Sequence, residues 1–265
     1  MSTAEKRWMP ASGAVEDFVE QYHRDGFCIQ RGIFSQSELA ALAEEADRLE
    51  RRQELIDSQN LRCRWQDHFE TSECLFDCFD PVIDIGPVCG YFARHERLAA
   101  ILETLYGEPA CLFKDKLIFK RPGAKGYALH QDYIGWDRFP ESFLTVVIPI
   151  DETTAANGAT EVFPAVHQQG YLSPRDGEYH QLDESQVDLS TGVLLELNPG
   201  DVAIFSGFTP HRSAPNTSDQ ARRQLYLSYN AWGDGGDQRE AHYAEFQQWL
   251  TKKYAEYGKT GVWFR

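Results

Sequence analysis

The spacing of apolar positions changes period several times along the chain. Val15, Phe18, Val19 and Tyr22 recur at helical spacing and predict a short helix that ends at Gly26. Residues 27–34 read mostly as strand. Ser35-x-x-Glu38 is a capping box, and Leu39, Leu42, Ala46 and Leu49 follow on one helix face. Residues 51–87 mix charge with Trp65, His68 and several Phe, without a period. Leu98, Ile101, Leu102 and Leu105 predict another helix, stopped by Gly107. Residues 111–121 alternate, with Lys114, Lys116 and Lys120 on one face and Phe113, Asp115, Leu117 and Phe119 on the other. Residues 144–150 form a strand apolar on both faces, interrupted by Thr145. Asn157-Gly158 marks a hairpin, and residues 170–192 a polar, acidic surface loop with His180 in solvent. A turn at 197–201 leads into a strand at 202–205. Arg222 and Arg223 begin a further strand that runs to Asn230. The last helix carries Tyr243, Phe246, Trp249, Leu250, Tyr254 and Tyr257, a stripe that reads as core packing or a subunit contact. No repeat or linker divides the chain, so residues 1–265 are expected to form one domain.

Composition narrows the class. With 42% hydrophobic and 13% aromatic residues, the chain can bury a large core and is not of the disordered type. A net charge of -15 disfavours a surface for nucleic acid or anionic membrane. Neither a secretory signal nor an apolar run of spanning length is visible, so the six cysteines read as free thiols and the expected location is cytoplasmic. Cys74 and Cys78 lack the second ligand pair of a zinc finger and read as structural thiols. Residues 1–13 are polar and expected to fray.

The chemistry concentrates at Tyr127-Ala128-Leu129-His130-Gln131-Asp132. In an extended segment His130 and Asp132 share a face. His211, after the strand at 202–205, is the candidate third ligand. Two imidazoles and one carboxylate leave open positions on an octahedral ion, as non-haem Fe(II) oxygenases require. A zinc hydrolase on the same triad, or a non-catalytic binding protein, is the alternative of another class. Arg222 is suited to clamp a carboxylate through two parallel hydrogen bonds, with Arg223 as competitor. Trp136 sits in a loop that can line a pocket beside the metal. Asp115, if it faces inward, needs a partner, either a cationic substrate group or a structural salt bridge. Arg62 and Arg64 could reach an anionic substrate.

These residues stand in an ordered series. Tyr22-His23-Arg24-Asp25-Gly26-Phe27, Lys120-Arg121-Pro122-Gly123, His130-Gln131-Asp132, Asn157-Gly158, Phe163-Pro164 with His167, Pro199-Gly200-Asp201, His211-x-Ser213, Arg222 and Tyr229-Asn230 follow one another from about Phe18 to Tyr229. The series resembles the phytanoyl-CoA dioxygenase family. The resemblance implies a mainly β fold with flanking α-helices, a double-stranded β-helix or cupin-like jelly roll. It implies Fe(II) held by His130, Asp132 and His211, with 2-oxoglutarate and O2 as co-substrates and Arg222 on the far carboxylate of 2-oxoglutarate. Set beside the ectoine-hydroxylating members, Tyr127, Thr145 and Ser213 fall near 2-oxoglutarate, and Trp136 falls on a substrate-pocket aromatic. The run Phe163–His167 departs from the family's usual Pro-Gly-Ser-His. The carboxylate at Asp132 argues against the halogenating relatives, whose small residue there leaves room for chloride. The implied reaction hydroxylates a C–H bond and releases succinate and CO2. The substrate is expected to be a small polar or zwitterionic metabolite, 2-aminoethylphosphonate being one candidate, with an acyl-CoA or an amino acid as alternatives.

Overall fold

The computed structural model describes residues 12–71, 73–134, 136 and 138–257. Of residues 1–13, expected to fray, 1–11 lie outside the described residues, as do the side chains of Val15 and Tyr257, whereas Ser12 and Gly13 open α1. α1 (Ser12–Asp25) ends at Gly26, whose φ of 81° turns the chain into β1 (Phe27–Gln30). That strand is shorter than its apolar run suggests, because Gly32 turns the chain again. α2 (Gln36–Arg51) opens with both halves of the Ser35–Glu38 capping box in place and buries Leu39, Leu42, Ala46 and Leu49.

β2 (Cys63–Asp67) and β3 (Cys74–Phe79) occupy the stretch that showed no period. α3 (Pro87–Ala93) and α4 (Glu96–Tyr106) follow, the latter closed by left-handed Gly107. Then come β4 (Ala110–Lys120), β5 (Tyr127–His130), β6 (Leu144–Pro149), β7 (Thr160–Val162), β8 (Val193–Leu194), β9 (Val202–Ser206), β10 (His211–Ser213), β11 (Arg222–Ala231) and α5 (Arg239–Tyr257).

The strands form two antiparallel sheets. The larger has the order β1-β9-β6-β11-β4-β3-β2, and the smaller β5-β10-β7-β8. This is the jelly roll with flanking helices that the sequence led one to expect. One face of the large sheet, with Leu117, Phe119, Val146, Ile148, Leu225 and Leu227, packs under the N-terminal helices. The other, with Ile118, Val147, Phe205 and Tyr226, looks toward the small sheet. Both faces are therefore covered, which is why β6 is buried at every position and shows no alternation. Each fully buried Leu or Phe contributes about 1.5–3 kcal/mol, so a face of five or six outweighs any single polar exception.

Candidate metal centre

β5 and β10 lie side by side in the small sheet, with His130 directly opposite His211. Asp132 follows β5 by two residues. The ligand atoms of His130, Asp132 and His211 all fall within 4.8 Å of one another. His130 Nε2 is 3.9 Å from Asp132 Oδ1, and His211 Nε2 is 3.7 Å from the same oxygen. These separations are too long for hydrogen bonds, yet one ion about 2 Å from each atom spans them. The two rings lie 4.2 Å apart between centroids.

Each imidazole is oriented from behind. His130 Nδ1 donates to Ala128 O (2.8 Å), and His211 Nδ1 donates to Thr209 O (3.1 Å). A carbonyl only accepts, so Nδ1 carries the proton and Nε2 presents its lone pair to the cluster. Burial, and then the adjacent His211, hold His130 down to about 3. Burial also lowers His211. Both rings are thus neutral, the form that binds a metal. Burial opposes ionisation of Asp132, but His211, Lys116 and His130 outweigh it and keep the carboxyl below its usual range. Thr145 Oγ1 donates to Asp132 Oδ2 at 2.7 Å and also meets Ser228 Oγ at 3.2 Å. Thr145, expected near 2-oxoglutarate, is directed at the carboxylate and leaves Oδ1 to the two histidines.

Arg222 lies at the closed end of the same chamber. It is 1% exposed, Nη1 donates to Gly158 O at 2.5 Å, and its buried Nε has no hydrogen-bond partner. Among the described residues no carboxylate lies within ion-pair distance of its guanidinium. A buried cation without a counter-ion is costly, so this end fits the anionic tail of a bound keto acid. Arg223 points the other way and is held by Asp151 (2.8 Å) and Asp47. Ser213 is also close to this end: its Oγ accepts from Lys120 Nζ (3.0 Å) and from Tyr127 N (3.3 Å). Tyr127 lines the chamber, with its hydroxyl donating to the buried Asp77.

The chamber has a volume of about 530 Å³ and reaches from Arg222 past the His–Asp–His cluster to α5. Trp136 lines it, its ring 6.3–6.4 Å from those of Phe246 and Trp249. Its loop is held by the packed rings of Phe113, Tyr133, Phe139 and Phe143. The core reading of the α5 stripe holds for the buried Tyr243 and Leu250 and is corrected in part by this placement. Phe246, Trp249 and Leu250 form a wall of the chamber, where the sequence suggested core or a subunit contact. Asp115 is corrected too. Its carboxylate accepts from Val82 N (2.6 Å) and Ile83 N (2.9 Å) and pairs with Arg239 (2.6 Å). The structural salt bridge is the reading that holds, and it anchors α5 to β4.

Other lining residues escaped the sequence. Lys114 and Lys116 line the chamber because their face of β4 looks inward. Their alternation was visible, but not which face would be inside. Tyr179, in the loop taken as a surface excursion, packs on His130 at 5.4 Å. Of the two arginines that the sequence did single out, Arg64 lines the chamber, whereas Arg62 is tied to Asp84 at 2.6 Å.

Comparison with known proteins agrees with this geometry. A methylphosphonate hydroxylase of Gimesia maris is 38% identical over 159 residues, covering 60% of this chain and 58% of that protein's length. A 2-aminoethylphosphonate dioxygenase from an uncultured bacterium is 29% identical over 221 residues, 81% of each chain. The crystal structure of the epimerase SnoN superposes with a TM-score of 0.69 at 21% identity, covering 83% of this chain and 85% of its own, a likeness of fold. The model of the phytanoyl-CoA dioxygenase family matches residues 22–224. A jelly roll with a His-x-Asp and distant His cluster, matched over that span, places this chain in the phytanoyl-CoA dioxygenase family of Fe(II)/2-oxoglutarate-dependent dioxygenases.

Proposed function

We propose that this dioxygenase hydroxylates a C–H bond of a small organophosphonate. The observation that carries the reading is the charge of the chamber. Among the described residues its lining holds six basic side chains, Arg64, Lys114, Lys116, Arg212, Arg222 and Lys253, against two acids, Asp132 and Glu178; Arg212 and Lys253 are answered by Glu161, Glu184 and Glu178, whereas Arg64 and Lys114 share the single carboxylate of Asp80. The whole chain has the opposite balance, 26 basic to 41 acidic residues. Arg222 serves the keto acid. Lys116 is left with no acidic partner within ion-pair distance among the described residues, its ammonium 5.0 Å from the centre of the Tyr226 ring. A dianionic headgroup answers that excess, and two relatives named for phosphonate oxidation favour this anion.

In this reading His130, Asp132 and His211 hold Fe(II), and Arg222 grips the far carboxylate of 2-oxoglutarate near Ser213 and Tyr127. With the metal bound, the chemistry supplied is oxidative decarboxylation of 2-oxoglutarate to succinate and CO2, coupled to insertion of one O2-derived oxygen into the C–H bond. The chain's own residues orient and shield. Thr145 fixes Asp132, the carbonyls of Ala128 and Thr209 fix the imidazoles, and Trp136 and α5 keep bulk water from the reacting carbon.

The test is a substrate panel scored by succinate release with Fe(II) and 2-oxoglutarate. Methylphosphonate and 2-aminoethylphosphonate are run beside amino acids, ectoine and an acyl-CoA. Phosphonate-stimulated release with a hydroxylated product is expected. Stimulation by acyl-CoA alone discards the phosphonate reading, and turnover without O2 or keto acid restores the zinc-hydrolase alternative.

A further inference from the structure

The wall of the chamber that α5 supplies contains a residue with no assigned task. His242 lies one turn before Phe246, lines the chamber and is 6% exposed. Its Nε2 is buried without a hydrogen-bond partner, and no other described residue hydrogen-bonds its ring. A buried polar ring atom left unpaired costs about 1–3 kcal/mol unless something else completes it. The rings around it do not: Phe113 is 4.4 Å away, Trp136 5.8 Å and Phe246 5.8 Å, between centroids. Phe246 is shared with two cations, Lys114 Nζ at 4.2 Å and the Arg64 guanidinium at 5.0 Å from its centre. The imidazole thus sits in an aromatic wall beside two cations that share one buried carboxylate, Asp80, 3.1 Å from Lys114 and 3.8 Å from Arg64.

That setting also decides its protonation. Burial, and then Lys114, push His242 down to about 3, so the ring is neutral and offers one N–H donor. Lys114 and Lys116 are neighbours on the inward face of β4; Lys114 Nζ meets the buried Asp80 at 3.1 Å, whereas Lys116 has no acid within ion-pair distance among the described residues. The arrangement suits the three oxygens of a tetrahedral phosphorus lying between the two lysines and α5, with the carbon bonded to that phosphorus turned toward His130, Asp132 and His211. α5 is held to β4 by Arg239 on Asp115 and by Tyr243, whose hydroxyl accepts from Asp115 N (2.9 Å). The wall is therefore a fixed surface.

We propose that His242 is a specificity-determining residue, its imidazole N–H donating to a phosphonate oxygen of the substrate on the same wall as Lys114. The proposal rests on the phosphonate reading above. It is tested with His242→Phe, which keeps an aromatic ring in the wall, and His242→Gln, which keeps a donor. Methylphosphonate affinity is measured by calorimetry under argon on protein loaded with Fe(II) and 2-oxoglutarate, together with KM and kcat in air. His242→Phe is expected to raise Kd and KM about tenfold, the size of one hydrogen bond to a charged group, while 2-oxoglutarate affinity stays that of the wild type. His242→Gln is expected to recover most of that loss. The proposal is overturned if His242→Phe binds methylphosphonate as tightly as wild type. It is also overturned if both variants lose affinity equally with a lowered melting temperature, the mark of a packing role. If the wild type neither binds nor oxidises any phosphonate, the phosphonate reading itself fails and takes this one with it. Normal wild-type turnover with no variant effect removes only His242.

Discussion

Replacing Arg222 with Leu isolates the part of the site that has no counter-ion among the described residues. The guanidinium is buried, lacks a counter-ion among the described residues, and leaves Nε unpaired. Burial pulls its pKa below the ordinary arginine value, so the charge is held against its solvation preference. Removing such a charge is neutral or stabilising for a folded protein. The carbonyl it serves, Gly158 O, keeps a second donor in Lys120 Nζ at 3.0 Å. The ligand-free variant is therefore expected to melt no lower than wild type. Binding of 2-oxoglutarate should behave in the opposite way. Loss of one side of a buried, charge-assisted pair costs about 2–5 kcal/mol, a drop of roughly 30- to several-thousand-fold in affinity. At 100 Kd the keto acid adds about 2.7 kcal/mol to wild-type stability, and this increment should fall below about 1 kcal/mol in the variant at the same concentration. Calorimetric titration and paired thermal melts, with and without 2-oxoglutarate, measure both effects. A variant that binds 2-oxoglutarate within about threefold of wild type, less than 1 kcal/mol, refutes the assignment of Arg222.

Three further outcomes are expected. Asp132→Ala should abolish coupled turnover and metal retention while the circular dichroism spectrum is unchanged; normal turnover contradicts the ligand set. Thr145→Val removes the 2.7 Å hydrogen bond to Asp132 Oδ2 and should weaken Co(II) or Fe(II) binding by about 10- to 100-fold, read by metal titration. In the metal-free protein His130 and His242 are both held down to about 3, below the ordinary histidine value of about 6.5, so the unfolded chain takes up their protons first. Their contribution is present above about pH 6.5 and is lost as pH falls toward 3, so the melting temperature should drop steadily below pH 6.5; a flat profile down to pH 4.5 contradicts neutral, buried rings.

Much of the molecule was legible before the fold was seen. The Ser35–Glu38 box, the Gly26 and Gly107 stops, and the His-x-Asp spacing are short-range devices whose partners lie within a few residues, so local chemistry suffices to read them. The order of the longer motifs carried the jelly roll and the triad. What local reading could not supply was direction. β4 alternates plainly, but both of its faces are covered, so alternation separates Lys114 and Lys116 from Asp115 without saying which side meets the chamber. Asp115 finds Arg239 across 124 positions, and α5 closes the site through that pairing, a contact with no signature in either segment alone. Tyr179 reaches His130 from a loop whose polarity marks it as surface. The residues and their reactivity were written along the chain. Their neighbours were set only when two sheets and a returning helix removed water from the space between them, since which face is buried depends on what packs over it.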